Sequence, residues 1–101
     1  MSKSILQEDK ECFITGKIDG LHKHHIFNAA NRNISEEQGF WVYLSVPMHT
    51  GDDGVHFNMP FAKTLKKMCQ MAYEDKCMIE LGISRQSARD RFMKMIGRNY
   101  L

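Results

Sequence analysis

The stretch Phe40-Trp41-Val42-Tyr43-Leu44-Ser45-Val46 constrains the fold more than any other part of the chain. Aromatic and β-branched residues dominate it and Pro47 closes it, so it reads as a largely buried strand. Leu21 to Phe27 reads as a second strand. Glu11 to Ile14 is a short β-prone run ended by Thr15-Gly16, and it could pair with Leu21 to Phe27 as a hairpin across the turn-like Lys17 to Gly20.

The rest of the chain reads as helix and loop. Asn28 to Asn33 is asparagine-rich and loop-like. Ser35 followed by Glu36 and Glu37 looks like a helix N-cap with acids in its first turn, and Gly39 is a natural stop. Met48 to Asn58 reads as a polar loop in which Asp52 and Asp53, flanked by Gly51 and Gly54, form a solvated turn. Asn58 can then cap a helix with Pro60 in its first turn, running towards Leu81 and stopping at Gly82. Phe61, Leu65, Met68, Cys69 and Ala72 form its core-facing stripe. Ser84 caps a last helix to Ile96, with Ala88, Phe92, Met95 and Ile96 inward, Arg85, Arg89, Arg91 and Lys94 outward, and Gly97 just past its end. Met68, Met71, Met78, Met93 and Met95 read as core filling, and Cys69 and Cys77 as buried thiols.

At 101 residues there is room for one domain, in which 1–10 is a flexible start, 11–58 carries the strands and 59–101 is helical. The expected fold class is therefore α+β with a helical C-terminal part. A formal charge of +2 permits a nucleic-acid partner without demanding one. Three cysteines without a CxxC pair, and no apolar N-terminal run, point to reduced thiols and a cytoplasmic setting. No apolar run approaches the roughly 18 residues of a membrane span.

Function is written in the histidines. Three of the five fall in Leu21-His22-Lys23-His24-His25-Ile26-Phe27, and His49 and His56 follow in the later loop. Imidazole titrates near neutrality and is the commonest nitrogen ligand for transition metals. In metal-assisted phosphodiester cleavage one imidazole holds a cation while its neighbour takes a proton from the attacking water. Strict strand alternation would send His24 and His25 to opposite faces, so serving one phosphate requires a strand end, a twist or a bulge. His22 reads as a solvent-facing strand residue.

"CFITG", "LHKHHIF", "GFWVYLSVPMH", "GVHFN" and "IGRNYL", in that order, resemble small phage-type HNH endonucleases of the ββα-metal (His-Me finger) superfamily. The resemblance spans Cys12 to Leu101. It implies a ββα-metal core and hydrolysis of DNA by one divalent cation (Mg²⁺, Mn²⁺, Ni²⁺ or Zn²⁺). By position His25 matches the general base, His24 and His49 match metal ligands, and His56 matches a recurrent histidine that serves as a further ligand or phosphate contact. Asn31 and Arg32 lie where such proteins place groups near substrate, and Lys23, Lys66 and Lys67 are further candidates for DNA contact. Many relatives hold a structural zinc with two cysteine pairs. Here only Cys12 remains, with Thr15 and Gly16, and Val46 and Met48, at the other positions, so no structural zinc is expected and packing takes its place.

Two other classes compete. An HNH-like domain without catalysis could serve as a binding protein, for instance a phage inhibitor of a host defence nuclease of the anti-CRISPR kind, with a host or phage protein as partner. "MIELGISRQSARDRF" also resembles a helix-turn-helix whose Arg85, Gln86 and Arg89 would face a DNA groove. A dimer is compatible with each reading.

Overall fold

The computed structural model describes residues 3–51, 54–56 and 58–101. A two-stranded antiparallel sheet of β1 (Leu21–His25) and β2 (Trp41–Ser45) is joined by α1 (Arg32–Gln38) and followed by α2 (Val46–Thr50), α3 (Met59–Leu81) and α4 (Arg85–Ile96). The class is mixed α+β. The expected turn at Asp52 and Asp53 lies outside the described residues.

β2 is buried as its composition demands. Val42 and Leu44 are 0% exposed, and Trp41 and Ser45 on the opposite face are only 8% and 3% exposed. β1 pairs with it from Leu21 against Ser45 to His25 against Trp41, with no bulge. Residues opposite one another in an antiparallel pair share a face. Lys23 and His25 therefore lie with Tyr43 and Trp41, whereas His22 and His24 lie with Leu44 and Val42.

Glu11 to Ile14 is not a strand and forms no hairpin with β1. Cys12 N–H donates to Lys17 O at 2.7 Å and Gly16 N–H to Cys12 O at 2.9 Å, closing a turn with Gly16 at φ +76°. Phe13 reaches the sheet through its backbone, its N–H meeting Tyr43 O at 2.8 Å. Nor is the N-terminal segment detached. Ser4 Oγ donates to Trp41 O at 2.6 Å, Ile5 N–H to Gly39 O at 3.0 Å, and Gln7 Oε1 accepts from Tyr43 N–H at 2.6 Å. Irregular backbone and side chains thus satisfy the edge of β2, which would otherwise be left open.

Three further expectations are corrected. Ser35 does not cap a helix, because α1 already begins at Arg32; its buried Oγ donates to Phe27 O at 2.7 Å and accepts from Phe27 N–H at 3.2 Å. Pro47 does not merely end β2 but starts α2, where a missing N–H costs nothing, so the expected loop opens as a helix. Val46 does not pack in place of a zinc knuckle: it is 45% exposed, and Cys12 Sγ instead meets Ser45 Oγ at 3.6 Å and Thr15 N–H at 3.5 Å.

The caps of the long helices are as expected: Asn58 accepts from Phe61 N–H and Ser84 from Ser87 N–H, while Gly82 and Gly97 take left-handed conformations after α3 and α4. Leu65, Cys69 and Cys77 are buried, but Met68, Met71 and Met93 are exposed and do not fill the core. Aromatic rings do so instead. Phe40 and Phe92 are fully buried, and Phe27 and Tyr73 pack against them with ring centroids 5.6 to 6.1 Å apart. Arg85 and Arg89, although 39% and 27% exposed, do not simply face solvent. Both turn onto Glu74 of α3, which is 0% exposed and also accepts from Gln70 Nε2.

Candidate metal centre

Three of the five histidines converge from three different elements. His24 points from β1 into the protein and is 7% exposed. His49 lies in the last turn of α2, which packs on the sheet, and His56 follows the tight return from that helix. The return depends on two glycines: a Cβ on Gly51 would stand 2.4 Å from Pro47 O, and one on Gly54 2.9 Å from Gly51 O. Val55 N–H then bonds Met48 O at 2.9 Å and its side chain enters the core, carrying His56 back over His49.

The three imidazoles each offer one nitrogen, all within 4.8 Å of one another. His49 Nε2 and His56 Nε2 are 3.0 Å apart. Two nitrogens each roughly 2.1 Å from one ion stand about 3.0 to 3.4 Å apart at angles between right-angled and tetrahedral, so this pair already has the spacing of ligands. His24 offers the third nitrogen within the same 4.8 Å span. The group can hold a metal ion.

Electrostatics favours lone pairs over protons there. Burial, reinforced by the neighbouring His49 and His56, pushes the His24 pKa down to about 4. Burial likewise lowers that of His49, with His56 and His22 adding to the effect. Both shifts favour the neutral ring, the form that metal ligation requires. Among the described residues the group contains no carboxylate.

His25 occupies the other face. Its Nε2 is 2.6 Å from Glu36 Oε2, and the second oxygen of Glu36 accepts from Lys23 Nζ at 2.8 Å. Hydrogen bonds from Lys23 and then His25 hold the Glu36 carboxyl below its usual range. A carboxylate on Nε2 fixes the ring and its tautomer, leaving the Nδ1 lone pair to accept a proton. The ring of His25 is thus held in place by a carboxylate.

Of the residues proposed to meet nucleic acid, Lys23 is occupied by Glu36 and stacks over Trp41 at 4.2 Å, and Asn31 donates to Ile96 O at 3.0 Å. Arg32 and Lys67 are exposed. Lys66 is half-buried, lies over Tyr100, and its charge reaches His24. Two participants escape the sequence reading. Glu36 looks like an ordinary first-turn acid, and His22, exposed as expected, also places Nδ1 2.9 Å from His49 Nδ1. Only the pairing of β1 with α1 and α2 brings them in.

No protein-family model matches the chain, and neither does any curated protein or solved structure. Among the described residues no helix is long and apolar enough to cross a membrane.

Proposed function

We propose that this protein is a divalent-metal-dependent endonuclease with a ββα-metal site of the HNH kind, acting on DNA. The observation that carries this reading is the division of labour at the end of β1: buried His24 joins His49 and His56, while His25 is held by Glu36. His25 is the last residue of β1, so a phosphodiester lying across the strand's end can reach both faces.

A divalent cation held by His24, His49 and His56 would polarise the phosphate and stabilise the departing oxygen. The protein's own part is acid–base work. Water attacks phosphorus and gives its proton to Nδ1 of His25, the bond to the 3′-oxygen breaks, and Glu36 stabilises the resulting imidazolium. Lys66 stands nearby as a phosphate contact, and Arg32 and Lys67 extend the basic surface. An all-imidazole donor set suits Ni²⁺ and Zn²⁺ better than Mg²⁺ or Mn²⁺, which prefer oxygen ligands.

The engagement of Arg85 and Arg89 with Glu74 disfavours a helix-turn-helix regulator. The test is cleavage of supercoiled plasmid with Ni²⁺, Zn²⁺, Mn²⁺ or Mg²⁺, against a chelator control and His25→Ala. Metal-dependent nicking that disappears in His25→Ala is the expected outcome. A folded wild type that cuts neither duplex nor single-stranded DNA with any of these metals would sink the enzyme reading and leave a binding protein.

A further inference from the structure

We propose, resting on the metal reading above, that His22 is a positioning residue that holds His49 in its metal-binding tautomer through the 2.9 Å contact between their Nδ1 atoms. His49 makes two nitrogen-to-nitrogen contacts, Nδ1 with His22 and Nε2 with His56 at 3.0 Å. A neutral imidazole carries one N–H, so His49 must donate at one contact and accept at the other.

Two arrangements satisfy both contacts. In the first, His49 Nδ1–H donates to His22 Nδ1 and His56 Nε2–H donates to His49 Nε2. The second reverses both hydrogen bonds. Only the first leaves a lone pair on His49 Nε2, the atom that faces the ligand group. It is also the more stable on tautomer chemistry, because a free neutral histidine prefers its proton on Nε2. The first arrangement places one ring, His49, in the minor form; the second places two, His22 and His56, there.

His22 thus supplies the outer hydrogen bond that ligating histidines usually make to a carboxylate, a carbonyl or water. Strand geometry explains its position. His22 and His24 are two residues apart on β1 and so share a face, one ring entering the ligand group and the other bracing His49 from the exposed side. In the metal-bound state His56 would carry its one proton on Nδ1 instead, which frees Nε2 for the ion, and the bond from His49 to His22 remains.

The experiment reads side-chain ¹⁵N shifts of His49 in metal-free protein, with Zn²⁺ and Ni²⁺ affinities measured by competition titration. Wild type is expected to show the Nδ1–H tautomer, and His22→Ala the Nε2–H form. His22→Asn, whose Oδ1 can stand where Nδ1 stood, is expected to restore Nδ1–H. Metal affinity should fall about ten- to a hundredfold in His22→Ala and largely recover in His22→Asn. His22 is exposed, so neither change disturbs the core. A wild-type His49 in the Nε2–H form, or a metal affinity indifferent to His22→Ala, overturns this proposal alone. A wild type with the expected tautomer that takes up neither metal overturns the metal reading and, with it, the purpose assigned to His22.

Discussion

His24 and His25 are consecutive in the chain but face opposite sides of β1, His24 among His49 and His56 and His25 on Glu36 at 2.6 Å. Their substitutions should therefore separate two functions. His24→Ala removes a ligand and is expected to abolish tight Zn²⁺ or Ni²⁺ binding together with cleavage. His25→Ala is expected to leave metal affinity within about threefold of wild type, because its ring lies on the face away from the ligand group, while nicking falls by two orders of magnitude or more, the usual contribution of a general base. Calorimetric metal titration of both variants beside a plasmid assay checks this. Equal loss of metal binding in both would show that the two rings serve one ligand set.

Burial of His24 also gives the metal-free protein an acid sensitivity. Its pKa falls from an ordinary value near 6.5 to about 4 in the folded chain. Between those limits the unfolded chain binds a proton at His24 that the folded chain does not, so stability rises with pH through the window and is lost as pH falls through it. The full shift corresponds to about 3 kcal/mol. Urea midpoints measured without metal should drop between pH 6.5 and 4.5, and His24→Gln should remove much of that drop. An unchanged pH dependence in His24→Gln would assign the sensitivity to other groups.

The sequence makes some of this arrangement legible and hides the rest for physical reasons. Local signals served where local chemistry decides: Asn58 and Ser84 cap their own helices, Gly82 and Gly97 take positive φ, and the apolar composition of β2 enforces burial. Signals failed where a distant partner decides. Glu11 to Ile14 has strand-like residues, but the turn through Gly16 leaves Phe13 with a single backbone bond to β2 in place of a ladder. Arg85 and Arg89 belong on an outer face by helical periodicity alone, yet Glu74 on α3 draws them in. His24, His25 and His49 stand out by residue type and spacing, whereas Glu36 and His22 acquire their roles only through contacts 11 and 27 residues away.

Ser35 shows how such a misreading can be tested. As an N-cap it would tolerate Asp, one of the best capping residues. In the structure it is 0% exposed and both donates to and accepts from the backbone of Phe27. Ser35→Asp would bury a carboxylate against a carbonyl and is expected to prevent stable folding. Ser35→Ala leaves two backbone groups unsatisfied and should cost about 1 to 3 kcal/mol. Thermal and urea denaturation of the two variants decide between the readings, and a stable Ser35→Asp would restore the cap.

The buried carboxylate of Glu74 separates the helix-turn-helix reading from a packing role for α4. Burial alone would raise its pKa, but hydrogen bonds from Arg89, Gln70 and Arg85 outweigh that and hold it low. Removing Glu74 leaves two arginines that are 39% and 27% exposed and can turn to water, so Glu74→Ala should cost roughly 2 to 3 kcal/mol. Replacing both arginines by alanine strands a charge in the interior and should cost more, about 3 to 5 kcal/mol. A recognition helix predicts the reverse pattern, with Arg85→Ala and Arg89→Ala nearly neutral in stability and strongly impaired in DNA binding. Urea denaturation of the double variant, paired with DNA binding by the folded fraction, distinguishes them: a stable double variant that no longer binds DNA would return α4 to the groove.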